Sequence, residues 1–231
     1  MNDLSLVELI EGLQEVFLQP IPDAEEQQRL VERIAADELT VGQLVLNYHQ
    51  SDAFQTVAAP VARLYLGVLD RRPDGPGAAF WNATLEGLIA SQGLAGLGDL
   101  ALAFLASAEA QGRFGGDLLD PAAPDYVDDE AFVDQLYTII LGRPGDGEGL
   151  AFWRQELVTT FGGRRDLLTI AFTESAEYRS QTEGEVQGAL LYLALATVAN
   201  PPPPIPICPA TGISPPLPGP ATTWGRWWTG S

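Results

Sequence analysis

Lysine is absent from this chain of 231 residues: all 12 basic residues are arginine, set against 31 aspartates and glutamates, for a formal net charge of −19. A surface so poor in cations cannot neutralise a phosphate backbone, since that binding depends on basic side chains that release condensed counterions. Nucleic acid is therefore not an expected partner, and anionic membranes are disfavoured for the same reason. Cysteine is as scarce. The single Cys208 permits no intrachain disulfide and leaves a passive thiol or a bridge between chains. Histidine also occurs once, as His49, and a lone histidine is more often a surface or satisfied core residue than a catalyst. The opening Met1-Asn2-Asp3-Leu4 has no positive segment followed by an apolar core, so export, if it occurs, is expected by a route that reads no such signal or as part of a particle. The apolar stretch 188–199 is too short to cross a bilayer, and no membrane insertion is expected.

What the chain does have is an internal repeat. Residues 132–179 run from an apolar helical stretch (Phe132, Leu136, Ile140) through Leu141-Gly142-Arg143 and Asp146-Gly147 to Phe152-Trp153, then to Phe172 and Ser175-Ala176-Glu177. The same landmarks stand earlier as Leu64-Tyr65, Arg71, Asp74-Gly75, Gly77, Phe80-Trp81, Phe104 and Ser107-Ala108-Glu109. The Asp landmarks lie 72 residues apart and the Ser landmarks 68, so only the connecting loop has changed length, where insertions are tolerated. A fainter copy at the N-terminus keeps Leu13 to Leu18, Pro22-Asp23, Leu30, Leu44, Tyr48 and Ser51-Asp52, as terminal repeats often do when one face lacks a neighbour.

Helical periodicity runs throughout: Leu6, Leu9, Ile10, Leu13 and Phe17 form one stripe, and Asp23 followed by Glu26 reads as a capping box. Pro60 is read as the first turn of a helix. Phe80, Trp81, Leu85 and Leu88 are read as facing inward, and 93–98 as a glycine-rich loop. The expected fold class is all-α, a helical repeat array followed by an extended Pro-rich C-terminal arm. The expected divisions are a degenerate repeat (1–58), a second repeat (59–116), an exposed acidic linker (117–130), a third repeat (131–182), a C-terminal helix (183–199) and a Pro/Trp-rich arm (200–231). The arm opens with Pro201, Pro202, Pro203 and Pro204, has ten prolines in 201–231, and closes with Trp224-Gly225-Arg226-Trp227-Trp228. Such a segment favours polyproline geometry, and so much aromatic surface points to docking rather than to an isolated tail.

The order apolar helix, Leu-Gly-Arg, Asp-x-x-Gly, Phe-Trp, Phe and Ser-x-Glu resembles the bacterial domain of unknown function 4214, a cousin of the helical phycobilisome linker repeat. The resemblance implies an all-helical, non-enzymatic module attached to secreted, surface-layer, calcium-binding or phage-associated proteins, and brings no catalytic residues. The glycine-aspartate calcium array of such proteins is absent here.

No catalytic residue, metal site or cofactor is expected. Asp74 and Asp146 are read as helix N-caps rather than calcium ligands, since Leu150 stands where a third oxygen would be needed. Arg71 and Arg143 are read as reaching Glu109 and Glu177 within their own repeats, and Trp81 and Trp153 as core packing rather than sugar platforms. The expected partner-binding residues are Pro201 to Pro204, Trp224, Arg226, Trp227 and Trp228. The leading expectation is a structural assembly protein of a surface layer, filament or phage virion whose arm binds protein subunits, either its own kind or a neighbour. The alternative is a glycan- or calcium-dependent adhesion module. Localisation is expected on the cell surface or in a phage particle, with the cytoplasm as the remaining option.

Overall fold

The computed structural model describes residues 6–18 and 23–199, with side chains through Leu195. All regular structure among these residues is helical and no strand forms: the fold is all-α. The polyproline reading of 200–231 lies outside the described residues. Helices α1 (Leu6–Val16), α2 (Ala24–Ala35) and α3 (Val41–His49) come first. They are followed by a π-turn (Phe54–Ala58) running into α4 (Ala59–Leu69), then α5 (Gly75–Gln92), a 3-10 turn (Gly93–Ala95), α6 (Gly96–Leu105) and α7 (Ala108–Phe114). The last are α8 (Asp129–Gln135) with a π-turn (Leu136–Ile140), α9 (Gly147–Thr159), α10 (Arg165–Thr173) and α11 (Ala176–Ala199).

Polar side chains set the helix starts by accepting from the otherwise unpaired amides of the first turn. Asp23, Asp74, Asp128 and Asp146 each accept from the backbone N–H three residues on, and Thr40 forms a capping box with Gln43. Ser51, Ser107 and Ser175 do the same for the helical runs that follow them, with Oγ accepting from Phe54, Ala110 and Tyr178. One large core joins Tyr65, Phe104, Phe114, Phe132, Tyr137 and Phe172. A second gathers Leu13, Phe17, Phe54, Val186 and Leu190, where α11 packs along α1 and against α4. A small third core holds Ile10, Leu39 and Leu44. Between the second and third copies, α10 lies against α6.

Several boundaries differ from the sequence reading. The helix carrying Pro60 starts near residue 52, capped by Ser51, so 58/59 is no boundary. Proline inside a helix removes an amide donor and crowds the preceding turn. The π-turn, in which Ala59 N–H donates to the Phe54 carbonyl, gives the strand of backbone before Pro60 that extra room. The 182/183 boundary also falls inside a helix, since α11 runs unbroken and Thr182 Oγ1 donates to the Tyr178 carbonyl at 2.7 Å. Nor is 117–130 a bare exposed linker. Leu118 and Val127 are buried, the Asp117 and Val127 backbones pair with Asp125 and Asp117, and Gly116 lies so close to the Asp125 carbonyl that no Cβ fits. The glycine-rich 93–98 is mostly helix: Gly93 turns the chain at φ +66°, and Gly96 lets α6 fold back against the Leu88 backbone.

That fold-back matters for the run Gly75–Leu105, which is long and apolar enough to cross a membrane by length and composition. In the structure the run is two helices packed on each other, α5 and α6, rather than one continuous rod.

Candidate functional site

The landmarks of the second and third copies come together in two matching clusters. In the second copy the Tyr65 ring meets Phe104 edge-on at 5.2 Å and 88°, and Trp81 leans on Phe104 at 5.1 Å and 50°. In the third, Tyr137 meets Phe172 at 5.2 Å and 87°, and Trp153 meets Phe172 at 5.1 Å and 52°. Edge-to-face contact places the positive ring edge against the negative face of its neighbour. Gly77 and Gly149 stand where a Cβ would run into the hydroxyl of Tyr65 or Tyr137, which is why each Asp-x-x-Gly ends in glycine.

Over each cluster lies an arginine. The Arg71 guanidinium sits 4.8 Å from the Tyr65 ring centroid and donates through Nε to Glu109 at 2.7 Å. Arg143 sits 5.1 Å from the Tyr137 ring and donates through Nε to Glu177 at 2.6 Å and through Nη2 at 2.9 Å. The forked donor matches a carboxylate in a way that lysine cannot. The backbone turn is closed alike, Arg71 N–H to the Tyr65 carbonyl and Arg143 N–H to the Tyr137 carbonyl. The left-handed position before each turn is Asp70 (φ 55°) in one copy and Gly142 (φ 66°) in the other. Asp74 and Asp146 act as N-caps, accepting from Gly77 at 2.8 Å and Gly149 at 2.7 Å. In the N-terminal copy the ring pair is replaced by a hydrogen bond, Gln14 Nε2 to the Tyr48 hydroxyl at 3.1 Å.

The charges respond to this packing. Burial, opposed by Arg71, pushes the Tyr65 hydroxyl above its ordinary range. The hydrogen bond from Arg143 holds the Glu177 carboxyl below its usual 4.5. A carboxylate whose folded value is depressed adds stability at pH above the unfolded value, and that stability is lost as pH falls through the folded one. Glu177→Gln is therefore expected to flatten the acid limb of the stability profile below about pH 4.5. Denaturation midpoints at pH 7 and pH 3 for both chains check this, and parallel curves would show that the pair contributes nothing.

Trp81 and Trp153 are half-buried at the edge of the core. Phe80, expected to face inward, instead stands 49% exposed, and its counterpart Phe152 is 55% exposed. Adjacent helical residues point about 100° apart, so Phe and Trp cannot share the buried face. Pro201, Pro202, Pro203, Pro204, Trp224, Arg226, Trp227 and Trp228 lie outside the described residues. His49 is buried, with Nε2 2.5 Å from Glu183 and 3.1 Å from Gln187.

Other ion pairs were not foreseen. Arg63, 2% exposed, makes a forked pair with Glu174 at 2.8 and 2.6 Å, joining α4 to the end of α10. Arg165 donates to Asp129 and to the Leu118 carbonyl while lying over Tyr126 and Phe132, which anchors the acidic segment. A shallow cleft of about 240 Å³ opens between the two copies, lined by Leu66, Asp70, Arg71, Ile139, Tyr178 and Glu185. Its charged groups are already engaged: Arg71 with Glu109, Asp70 with Arg113 and Glu185 with Arg72. Among the described residues no group of three or more His, Cys, Asp and Glu converges in a way that would hold a metal.

Comparison with known families fits this geometry. The model for the Domain of unknown function (DUF4214) matches residues 101–182. Over that segment the chain is similar to the DUF4214 family. The match opens on the closing helix of the second copy, so the DUF4214 segment contains Phe104, Ser107 and Glu109, the 117–130 segment and the whole Tyr137–Trp153–Phe172 cluster with its Arg143–Glu177 pair. No curated protein and no solved structure matches the chain.

Proposed function

We propose that this chain is a non-enzymatic structural assembly protein, a subunit of a surface layer, filament or phage particle whose residues 200–231 bind neighbouring subunits. What supports this reading is the use to which the two clusters put their conspicuous residues. Arg71, Arg143, Asp74, Asp146, Trp81 and Trp153 are all engaged in ion pairs, caps and ring contacts within the body. The role left to them is to hold a rigid acidic scaffold. Residues 200–231 differ in kind from that scaffold: they hold three of the five tryptophans, ten of the 18 prolines, one arginine and no acid. Proline-rich segments lose little entropy on docking, and tryptophans make efficient anchors when buried.

The test is mass by light scattering over a concentration series, on the full chain and on a chain ending at Asn200. Oligomers that disappear on truncation, with the helical far-UV signal of the body retained, are the expected result. A full chain that is monomeric at every concentration would defeat the reading.

A further inference from the structure

Helix α5 is unlike the other surface helices. In a chain with 31 acidic residues, the stretch 75–105 contains only Glu86 and Asp99. A helix that is apolar all round is normally enclosed on every side. Here α5 buries one side, through Ala78, Asn82 and Leu85 with Trp81 and Leu88 beside them, and leaves the other uncovered. The uncovered stripe is Ala79, Phe80, Ala83, Gly87 and Ala90, continuing to Leu94 beyond the helix. Four of these are alanine or glycine, so from Phe80 to Ala90 the surface is low and flat, about 15 Å long at the helical rise of 1.5 Å per residue. Glu86 is the one charge on that face, is exposed, and forms no ion pair among the described residues. The equivalent helix α9 has no such face, because Glu148 and Gln155 interrupt it.

We infer that the outer face of α5 receives residues 224–228 from a neighbouring copy, with Arg226 paired to Glu86 and the indoles of Trp224, Trp227 and Trp228 laid over the alanine and glycine stripe. The complementarity is in charge as well as shape. Residues 200–231 carry a single charge, Arg226, set among tryptophans, and the α5 face carries a single charge, Glu86, set among small apolar residues. Other exposed apolar side chains, such as Phe152 and Val158 on α9 and Leu191, Tyr192 and Leu195 on α11, are bulky and project from the surface, whereas the α5 stripe between Phe80 and Ala90 is built of alanine and glycine. Five extended residues span about 15 Å, matching the length of the stripe. Indoles lying flat on a helix need small residues beneath them, which Ala79, Ala83, Gly87 and Ala90 supply.

This inference rests on the assembly reading, and a charge exchange separates the two. Light scattering on full-length Glu86→Arg and Arg226→Glu chains is expected to show association weakened at least tenfold in each, and restored when both are combined. Glu86→Arg also lowers the net negative charge, so general repulsion cannot account for the loss. Ala83→Gln, which raises a bulky side chain on the flat stripe at a small cost in helix propensity, is expected to weaken association independently; far-UV spectra verify that each body is folded. If truncation at Asn200 dissociates the oligomer while Glu86→Arg and Ala83→Gln leave it intact, the α5 site is wrong and the assembly reading stands. A double exchange that stays dissociated overturns the Arg226–Glu86 pairing. A full chain that is monomeric overturns both.

Discussion

Glu174→Gln is expected to lower the unfolding free energy by about 3 kcal/mol, the low end of the range for breaking a buried ion pair from one side. Arg63 is 2% exposed and its forked bonds end on a Glu174 that is 21% exposed. The substitution keeps the shape and removes the counter-charge, so the guanidinium remains out of water with a weaker acceptor. Most of the cost is that stranded charge rather than the net worth of the pair. The paired substitution Arg63→Met with Glu174→Leu should therefore lose far less than Glu174→Gln alone, because neither desolvated charge remains. Urea denaturation with unchanged slopes measures both. A Glu174→Gln midpoint equal to that of the parent chain would mean that α4 and α10 are held by their apolar contacts alone.

That pair also shows where the sequence stops being legible. Contacts made within a repeat are written twice: Arg71 with Glu109 and Arg143 with Glu177 recur at corresponding landmarks, so each supports the reading of the other. Contacts between repeats occur once. Arg63 and Glu174 are 111 residues apart, and the position matching Arg63 in the third copy is Gln135, whose Oε1 is buried without a partner. No internal comparison could have found it. The all-α class and the capping residues were legible for a different reason. Helix periodicity and N-cap chemistry are local, and Asp23, Thr40, Asp74 and Asp146 each act within three residues of themselves.

The misread boundaries have a common cause. Pro60 was given its usual place in a first helical turn, but the apolar residues on both sides of it, Phe54 and Val57 before, Val61 and Leu64 after, all face core. Burying them in one continuous helical run outweighs the amide donor lost at Pro60 and the wider turn that accommodates its ring. The acidic segment 117–130 was read by its charge, while its few apolar residues, Leu118 and Val127, decide where it lies. Arg165 then gives the chain one cation at the point where Asp129 would otherwise stand unpaired. The depressed Asp117 carboxyl has a local origin, the backbone N–H groups of Asp120 and Leu119.

The alanine variants of Phe104 and Phe172 are expected to be the most damaging single changes in the body, each costing about 3–5 kcal/mol. Each ring is 2% exposed and closes its cluster by touching a tyrosine and a tryptophan at once. Removing it leaves a cavity whose walls are held by other constraints: the Tyr65 and Tyr137 hydroxyls by the glycines beneath them, and the tryptophans by their own helices. Such a site relaxes little, which places the cost toward the upper part of the range for aromatic truncation. The geometry of the two clusters agrees within 0.1 Å in ring separation, so the two losses should be similar, and the larger one marks the copy whose neighbours are the more rigid. Phe80→Ala and Phe152→Ala serve as controls on the same helices as Trp81 and Trp153. Both rings are half-exposed, and surface truncations of this kind usually stay within about 0.5 kcal/mol. Equilibrium denaturation of all four variants decides the matter. A large loss at Phe172 beside a negligible one at Phe104 would show that the matched geometry does not carry matched energy, and that the third copy bears more of the stability of the body than the second.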